Sequence, residues 1–596
     1  MEQMKRTVTC GQLTAKNEGQ TVILNGWVHR NRDHGGIHFI NLRDRYGETQ
    51  IVVDEDAAEA LKEKAGSLKF EYCVAIEGIV RARPESMINP DMVTGEIEVS
   101  VKNISILNSC KTLPFMIEDE TDSNETARLK YRYLDLRSKG MQDRIILRNN
   151  VTYAIREYLQ KSSFLEIETP TLIKSTPEGA RDFLVPSRLH AGKFFALPQS
   201  PQLYKQLLMV SGFDKYFQVA RCYRDEDARG DRQLEFTQID MEMSFVSVDD
   251  IFKITEGMMG HVFKKSLGVD LPLDFQRISY DDAMNLYGSD KPDLRFDMAF
   301  QDFAPFVPAS SFGVFKSVLE AGGAVKALVV PGAAADYSRK KITELEETAK
   351  TFGAKGLAWM KVTTEGLDGG VSKFYNDQAD AICSGLEAKE GDLILLMGAA
   401  WKTACNSLGA VRSRLGKDLK LIDENLYRFV WIVDFPLFEY NEDEKTWEPA
   451  HHMFSMPQEQ YLETFDKDPG PVKGDLYDLV LNGYELASGS IRIHDPELQQ
   501  RIFNVVGFPK EVAEERFGFL LESFRYGAPP HGGIAAGVDR LVMIMAGKES
   551  IKEVIPFPKN NAGMSPMDDS PAWVDADQLQ DLHLNIIMPE VDKKEE

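Results

Sequence analysis

Alternating apolar and polar residues in the first part of the chain predict a small all-β module. This period of two places alternate side chains on one side of a strand, and a turn-like run at 44–47 separates two of the segments. About five short strands in about a hundred residues are typical of an oligonucleotide-binding (OB) β-barrel, although other small barrels show the same pattern. We predict this barrel at residues 1–108. The alternating apolar positions are Val22, Leu24, Val28, Ile51, Val53, Val74, Ile76, Val80, Ile97, Val99 and Val101.

The pattern changes beyond the predicted barrel. Residues 109–140 are polar and charged, which predicts a linker or hinge that leads into a short helix. A strand is then predicted to end in Glu168-Thr169-Pro170, and the mixture of short strands and helices predicts the first part of an α+β domain at 141–286. Before that strand, apolar residues recur at helical spacing at Leu147, Val151, Ile155, Tyr158 and Leu159.

A segment of different character interrupts this domain at 287–415. It contains the small and apolar run 329–335 and a predicted acidic helix, and we interpret it as an inserted α+β domain. At 416–560 the sequence again resembles that of 141–286, and we predict the second part of the same α+β domain there. Val430-Trp431-Ile432-Val433 predicts a buried strand. A C-terminal extension at 561–596 ends in a charged tail from Val591 that we expect to be disordered. The predicted fold class is α+β multidomain.

Composition narrows the class of function. The formal net charge is −24 over 596 residues, which disfavours a protein that coats nucleic acid through a broad basic surface. A local basic patch is still compatible with RNA binding, and 29–34 is a candidate. The six cysteines form no CxxC pair, so we predict reduced thiols rather than disulfides or a zinc site. No window approaches the ~18 apolar residues of a membrane helix, and the polar start favours a cytoplasmic protein.

A charged hairpin is predicted at 221–242. Two strand-like segments flank a charged loop, and alternation places Phe236 and Asp240 on the same face. An aromatic ring beside a carboxylate is what a nucleotide and an amino-acid ammonium group would need side by side. A salt-bridged surface hairpin is the plainer alternative.

Residues 527–541 form a Gly-rich segment that predicts a strand running into a helix near Val538. Small residues let a ligand approach the backbone, and Arg540 falls in the first helical turn. The GxxxxGK[ST] pattern of a Walker-type phosphate loop is absent.

A third stretch predicts a helix that starts at Pro201 and is capped by Ser200. At ~100° per residue, Gln202, Lys205 and Gln206 share one face. Lys205 is then either a solvated surface lysine or an ammonium group fixed toward a pocket. The opposite, buried face is predicted to carry Leu203, Leu207 and Leu208.

Together these stretches resemble the class II aminoacyl-tRNA synthetases. Residues 164–170 are similar to motif 1 of that family, 223–236 to motif 2 and 533–540 to motif 3. The run 131–137 is similar to a signature of the subgroup that carries an N-terminal anticodon-binding barrel.

Three further stretches resemble the bacterial aspartyl members of this subgroup, at 175–182, 199–206 and 489–495. The resemblance implies a catalytic domain with an antiparallel sheet and helices, and a homodimer formed through motif 1. It also implies an AMP-forming ligase. Such an enzyme activates L-aspartate with ATP and Mg²⁺, releases pyrophosphate and transfers the aspartyl group to the 3′ end of tRNA-Asp.

The resemblance also implies the site residues. Catalytic roles fall to Arg224, Glu226 and Arg540, with adenine between Phe236 and Arg540. Magnesium would be held by Glu485 and Ser488, for which a surface turn is the alternative. The residues implied to bind aspartate are Glu178, Ser200, Gln202, Lys205, Arg224, Asp240, His451 and Arg492. The residues implied to bind ATP are Arg224, Asp225, Glu226, Gln233, Phe236, Glu485, Gly537, Val538, Asp539 and Arg540.

In the barrel, Ile40 and Leu42 are predicted to point inward, so Phe39 faces outward as a platform on which a base can stack. Packing of Phe39 under a loop is the alternative. The residues that the resemblance implies for the anticodon are Arg30, His34, Phe39 and Gln50. The loop Asp33-His34-Gly35-Gly36 is similar to that of bacterial relatives that charge both tRNA-Asp and tRNA-Asn.

Competing hypotheses make different demands on the chain. An asparaginyl enzyme would lack the insertion at 287–415, and a lysyl enzyme would need an acidic pocket. An aspartate–ammonia ligase has no use for an anticodon barrel. A non-catalytic RNA-binding paralog would be expected to lack Arg224, Glu226 or Arg540, and all three are present.

Overall fold

The computed structural model describes residues 4–119, 123–176 and 180–588. The chain divides into two compact units, Met1–Asp143 and Arg144–Glu596. The tail from Val591, which we expected to be disordered, lies outside the described residues. No helix in the described ranges is long and apolar enough to cross a lipid bilayer.

The first unit contains a closed five-stranded barrel, in the order β1-β2-β3-β5-β4. All of the predicted alternating apolar positions are buried inside it, so the β prediction is confirmed. Gly26 lies on a strand where a Cβ atom would stand 2.4 Å from the carbonyl oxygen of Arg43, so only glycine fits this crossing. The strands are β1 (Thr21–His34), β2 (Ile37–Asp44), β3 (Gly47–Val53), β4 (Cys73–Ala82) and β5 (Ile97–Asn108).

Among the described residues, three α-helices lie wholly within this unit. Helix α1 (Glu59–Gly66) connects β3 to β4 and was not predicted, because it carries no regular apolar stripe and buries only Ala65. The predicted short helix of the linker is a pair, α2 (Glu125–Lys130) and α3 (Arg132–Asp135). The Glu71 carboxylate pairs with both Arg43 and Arg137 at 2.9 Å, which ties the barrel to the segment after it.

An eight-stranded sheet forms the centre of the second unit, in the order β11-β17-β20-β21-β22-β10-β9-β6. It is antiparallel except at its two edges, where β11 pairs parallel with β17 and β6 with β9. From Lys139 onward the elements around and within this sheet are α4 (Lys139–Lys161), β6 (Leu165–Glu166), β7 (Leu184–Pro186), β8 (Phe194–Ala196), α5 (Gln202–Val210), β9 (Lys215–Tyr223), β10 (Glu235–Ser244), α6 (Val248–Leu267), β11 (Gln276–Ser279) and α7 (Tyr280–Tyr287).

One face of this sheet packs on helices. Val151, Ile155 and Leu159 of α4 meet Ile239 and Met241 of β10 in one buried core. The prediction of a helix around Leu147–Leu159 is confirmed, but α4 begins earlier, at Lys139. The strand predicted to end in Glu168-Thr169-Pro170 is wrong in extent, because only Leu165 and Glu166 pair with β9 before the chain turns away.

The inserted segment contains its own five-stranded sheet, in the order β12-β13-β16-β14-β15, with a separate hydrophobic core on each face. The buried guanidinium of Arg412 donates to the backbone carbonyls of Met298 and Phe296 at 2.9 Å and fixes the approach to this sheet. The elements are β12 (Gln301–Asp302), α8 (Gly313–Glu320), β13 (Ala324–Val330), α9 (Arg339–Lys350), β14 (Ala358–Thr363), β15 (Gly366–Asp368), α10 (Ala379–Gly385), β16 (Leu393–Ala399) and α11 (Trp401–Asp418).

The chain then returns to the large sheet. The predicted buried strand at 430–433 is confirmed as part of β17, where Trp431 is fully buried. All six cysteines are free, as predicted. The remaining elements are β17 (Phe429–Val433), β18 (Phe438–Asn441), β19 (Thr446–Pro449), β20 (Leu476–Leu481), β21 (Tyr484–Ile491), α12 (Pro496–Val505), α13 (Lys510–Phe524), β22 (His531–Gly537), α14 (Val538–Met545) and α15 (Ala576–Asp581). Short 3-10 helices lie at Ala15–Asn17, Glu85–Met87, Ala304–Phe306, Ser372–Phe374, Asn376–Gln378, Glu459–Tyr461 and Ile551–Glu553.

Candidate active site

A cavity of about 380 Å³ lies on the face of the large sheet that the helical core leaves open. The four cationic residues expected to define the site, Lys205, Arg224, Arg492 and Arg540, all line it. The other lining residues that we expected from the sequence are Ser200, Gln202, Glu226, Gln233, Phe236, Asp240, His451, Glu485, Ser488, Gly537 and Asp539.

Strand alternation produces this separation of core and cavity. On β10, Ile239, Met241 and Met243 are buried in the helical core, whereas Phe236 and Asp240 line the cavity. The predicted shared face of Phe236 and Asp240 is therefore confirmed.

Gly533 on the neighbouring strand β22 leaves space for a buried side chain. A Cβ atom on Gly533 would stand 2.0 Å from Oε2 of Glu242 and 2.1 Å from the carbonyl oxygen of Met241. The missing side chain makes room for the Glu242 carboxylate rather than for a ligand, which corrects the interpretation of this part of the Gly-rich run.

Lys205 is held by two carboxylates at the closed end of the cavity. Its ammonium nitrogen lies 2.6 Å from Asp240 Oδ1 and 3.0 Å from Glu242 Oε2, and all three side chains are buried. Among the described residues, neither Asp240 oxygen has a hydrogen-bond partner of good geometry, and its contact with Lys205 is an ion pair. Burial raises the pKa of Asp240, and Lys205 acts against that shift. The Asp240 carboxylate therefore keeps hydrogen-bonding capacity for a ligand.

Arg492 is fixed beside Lys205 by the same glutamate. Its Nε donates to Glu242 Oε1 at 3.0 Å, and its Nη1 donates to Ser490 Oγ at 2.7 Å and to His452 Nε2 at 2.8 Å. Burial alone would raise the pKa of Glu242, but Arg492 and Lys205 outweigh it and lower the pKa to about 2. Glu242 thus stays ionised and holds two cations at a fixed spacing.

Both ring nitrogens of His452 face hydrogen-bond donors. A guanidinium only donates, so Nε2 of His452 accepts from Arg492, and the backbone nitrogen of Phe454 donates toward Nδ1 at 3.3 Å. Burial and the adjacent Arg492 hold the pKa of His452 well below its ordinary value. Ser455 Oγ lies 3.4 Å from Nδ1.

Helix α5 presents its polar face inward. It begins at Gln202 with Pro201 as the N-cap residue, one position later than predicted, and Ser200 Oγ accepts from the Gln202 amide nitrogen at 3.3 Å. Gln202, Lys205 and Gln206 are buried. Of the leucines predicted to be buried, only Leu203 is, while Leu207 and Leu208 are partly exposed. The prediction of a single buried apolar face is wrong, because Lys205 on the polar face is buried by its ion pairs with Asp240 and Glu242.

At the open end of the cavity, Arg224 lies over the ring of Phe236, with Cζ 5.1 Å from the ring centroid. Its Nε is buried and has no hydrogen-bond partner in the part of the chain that the structure describes. We expected Arg540 to face Phe236 across an adenine. Both residues line the cavity, where Arg540 donates from Nη1 to the Glu485 carbonyl oxygen and its Nη2 pairs with Asp231 Oδ2 at 3.1 Å. The adenine site between them stays a prediction.

Other residues expected to bind ATP have partners within the protein. The Gln233 amide exchanges two hydrogen bonds with the backbone of Lys559, at 2.8 and 3.1 Å. Asp539 pairs with Arg148 and accepts from the Thr237 amide nitrogen at 2.8 Å. Glu226 Oε2 pairs with Arg232 at 3.2 Å. The contacts of Gln233 and Asp539 hold the hairpin and α14 in place. Contact of Gln233, Asp539 and Glu226 with ATP stays a prediction.

Of the expected active-site residues that the structure describes, two do not line the cavity. The side chain of Val538 is buried in the helical core, and the backbone nitrogen of Asp225 donates to the carbonyl oxygen of Arg181 at 3.1 Å. Glu178 lies outside the described residues. His451 stands exposed at the rim, with its ring 4.8 Å from that of Phe435.

A buried carboxylate joins the predicted metal ligands. Asp478 is opposite Ser488 in the pairing of β20 with β21. Its Oδ1 is buried and has no hydrogen-bond partner among the residues that are described. Burial, and then the charge of Glu485, raise the pKa of Asp478 well above its ordinary value. No group of three or more His, Cys, Asp or Glu side chains in the described part of the chain is arranged as a metal site. Two carboxylates and a hydroxyl nevertheless are hard oxygen donors that suit Mg²⁺ together with substrate oxygens.

The barrel brings the expected anticodon residues onto one outer surface. The register pairs Asn41 with Arg30 on one side and Gln50 on the other, and Phe39 points the same way two residues earlier. The ring of His34 meets that of Phe39 edge-on at 6.0 Å. Inward burial of Ile40 and Leu42 is confirmed.

The sequence did not single out Glu242, Asp231, His452 or Asp478 as site residues. Glu242 lies two positions after Asp240, so alternation alone would have placed it on the same face. Asp478 and Asp231 carry no such signal, because strand pairing and a loop contact bring them to the site.

The comparisons with known proteins agree with this geometry. A family model for class II tRNA synthetases (D, K and N) matches residues 124–561, and one for an OB-fold nucleic acid binding domain matches residues 22–107. An aspartate–tRNA(Asp/Asn) ligase from Treponema denticola is 66% identical over 588 residues, which cover 98% of this chain and 100% of that protein. An aspartate–tRNA ligase from Bacillus licheniformis is 51% identical over 583 residues, which cover 98% of each chain.

Solved structures show the same fold. The asparaginyl-tRNA synthetase of Pyrococcus horikoshii in complex with asparaginyl-adenylate aligns with a TM-score of 0.59 at 20% identity, over 93% of this chain and 98% of that one. An aspartyl-tRNA synthetase from Entamoeba histolytica aligns with a TM-score of 0.58 at 19% identity, over 95% and 93%. The OB barrel and the large antiparallel sheet agree with these folds, and the chain belongs to the class II tRNA synthetases, in the bacterial-type aspartate–tRNA ligase family.

Proposed function

We propose that this chain activates L-aspartate with ATP and transfers the aspartyl group to tRNA-Asp, and that it also charges tRNA-Asn. The observation that carries the proposal is the buried pair of cations, Lys205 and Arg492, beside the arginines Arg224 and Arg540 in one cavity. A lysyl enzyme would need the opposite charge at the closed end.

The closed end suits aspartate because charges balance there. Lys205 and Arg492 are compensated by Asp240 and Glu242. The ammonium group of aspartate would bind Asp240, and its side-chain carboxylate would bind the two cations. Bound asparagine would bring its ammonium group as a third cation, and its neutral amide would add no negative charge. One buried positive charge would then lack compensation, which is unfavourable.

The activation step needs no nucleophile from the protein. The α-carboxylate of aspartate attacks the α-phosphate of ATP, the bond to the β-phosphate oxygen breaks, and aspartyl-adenylate and pyrophosphate form. The protein contributes positioning and charge stabilisation. The unpartnered Nε of Arg224 provides a donor, and its planar fork can hold a phosphate and a carboxylate oxygen together.

Magnesium fits the oxygen donors at the strands β20 and β21. Asp478, Glu485 and Ser488 would hold it, and Asp478 has a buried, unpartnered oxygen. When bound, the ion neutralises phosphate oxygens of ATP. In the second step, a terminal ribose hydroxyl of tRNA attacks the adenylate carbonyl and AMP leaves.

Charging of two tRNAs is supported by the barrel loop and by the names of relatives. Several relatives are called aspartate–tRNA(Asp/Asn) ligases, among them one from Borreliella burgdorferi that is 50% identical over 585 residues. Asp33 Oδ1 accepts from the Gly36 nitrogen at 2.9 Å, and this turn presents His34 against Phe39. These contacts support a role for His34 in recognition of the anticodon.

We further propose a cytoplasmic homodimer. Leu165 on the edge strand β6 and Tyr153 on α4 are 51% and 67% exposed, and an apolar sheet edge of this kind suits burial against a second copy.

The experiment that tests the function is charging of purified tRNA-Asp and tRNA-Asn with labelled aspartate. Aspartyl product on both tRNAs is expected. Product on tRNA-Asp alone would end the dual assignment, and product on neither would end the proposal. His34→Leu, which removes the ring at the barrel loop, should change the ratio of the two products while aspartate activation stays constant.

A further inference from the structure

Arg540 is held by a carboxylate from the loop that joins β9 to β10. Asp231 Oδ2 lies 3.1 Å from Arg540 Nη2, while Nη1 of the same arginine donates to the Glu485 carbonyl oxygen. The Arg540 Nε is buried and has no hydrogen-bond partner among residues 4–119, 123–176 and 180–588. The arginine is thus only partly satisfied, and its strongest charge partner comes from the loop.

A carboxylate on a guanidinium occupies the position that a phosphate oxygen would take. Both are anionic oxygen acceptors that match the planar donors of arginine. Asp231 is 36% exposed and Arg540 is 21% exposed, so this ion pair can open without disturbing the core.

We propose that Asp231 is a positioning residue that keeps Arg540 occupied before ATP binds and is displaced by the terminal phosphate of ATP. The inference rests on the proposed function and on the family resemblance, which implies that Arg540 meets the terminal phosphate of ATP. Displacement of Asp231 from Arg540 requires free energy and so weakens ATP binding. AMP lacks the terminal phosphates, so its binding does not require this displacement.

The rest of the loop is anchored independently of this contact. The backbone nitrogen of Ile551 donates to the Gly230 carbonyl oxygen at 2.9 Å, and Gln233 is fixed by the Lys559 backbone. Displacement of the Asp231 side chain therefore frees Arg540 while the hairpin stays in place.

The size of the effect follows from the exposure of the pair. Partly exposed ion pairs stabilise a conformation only weakly, and apparent affinity falls by the fraction of molecules whose site is competent. Asp231→Asn should therefore lower the dissociation constant of ATP about two- to fivefold.

The test is calorimetric titration of the full chain with ATP and, separately, with AMP, in the absence of aspartate. Asp231→Asn should strengthen ATP binding and leave AMP binding unchanged, and Asp231→Glu, which keeps the charge, should behave more like the wild type. Glu549→Gln is the matched control, because Glu549 is an exposed carboxylate whose backbone lies beside Gly230 of the same loop. It should change neither constant.

Weaker ATP binding in Asp231→Asn would overturn the inference, as would equal gains for ATP and AMP or the same gain in Glu549→Gln. The function itself is tested separately by aspartate-dependent pyrophosphate exchange in the wild type. An enzyme that lacks exchange but shows the ATP-specific gain would refute the function and not the displacement.

Discussion

Replacement of Glu242 by glutamine removes one charge from the closed end of the cavity and keeps the shape of the side chain. Glu242 is fully buried beneath Gly533 and contacts both Lys205 and Arg492 at 3.0 Å. The variant leaves two cations facing Asp240 alone. We expect loss of stability and, because the spacing of the cations is no longer fixed, weaker aspartate binding.

The magnitude follows from the pKa of Glu242. Its value of about 2, against an ordinary 4.5, corresponds to about 3 kcal/mol of stabilisation by the charged form. Loss of one member of a buried ion pair costs ~3–5 kcal/mol, which agrees. For a unit of roughly 450 residues, about 3 kcal/mol lowers the melting temperature by about 3 °C.

Thermal unfolding as a function of pH is the assay. The pKa of Glu242 is depressed in the folded protein, so its stabilisation is present above about pH 4.5 and is lost as the pH falls toward 2. The difference between wild type and Glu242→Gln should therefore be full at pH 7 and shrink below pH 4.5. The aspartate KM in pyrophosphate exchange should rise at least tenfold, which corresponds to ~1.4 kcal/mol.

Glu256→Gln is the matched control. Glu256 is also buried, but it accepts from Trp431 Nε1 at 2.9 Å and burial raises its pKa, so its charge is not stabilising in the same way. This variant should lose much less stability at pH 7. Equal melting temperatures for Glu242→Gln and the wild type, together with an unchanged aspartate KM, would refute the reasoning.

Three further substitutions probe separate parts of the account. Lys205→Met should lose ~2–5 kcal/mol of aspartate binding and far less ATP binding, and an unchanged aspartate KM in pyrophosphate exchange would defeat the assignment. Phe39→Ala should lose ~1–3 kcal/mol of tRNA binding, seen as slower charging with adenylate formation intact, whereas equal loss of both would indicate a folding defect. Gly533→Ala should destabilise the enzyme by ~1–3 kcal/mol in thermal unfolding, because its Cβ would meet Glu242 Oε2 at 2.0 Å, and a wild-type melting temperature would show that the strands can separate there.

The apolar pattern predicted those strands and helices that bury one face in a single core. The barrel strands each have one face in a single core, so a period of two identified Val22, Ile51 and Val99 as inward positions. The hairpin at β9 and β10 and the strand at β17 follow the same logic. The helix α1 was missed because it lies on the barrel with little apolar surface of its own.

Site residues that lie in the family motifs could be predicted from the sequence. Site contacts between residues that are distant in the chain could not. Helix α5 buries Lys205 because Asp240 and Glu242 of strand β10 pair with it, and Gln206 contacts His531 at 3.3 Å. No periodicity within the helix could show these contacts. The contact of Arg540 with Asp231 likewise comes from a loop, and no local pattern could show it.

Aspartate-dependent exchange of labelled pyrophosphate into ATP tests the central claim most directly, because it needs only the cavity. The wild type should support exchange with L-aspartate and at least about a hundredfold less efficiently with L-asparagine, because the amide leaves a buried cation uncompensated. Equal exchange with both amino acids would contradict recognition by Lys205 and Arg492.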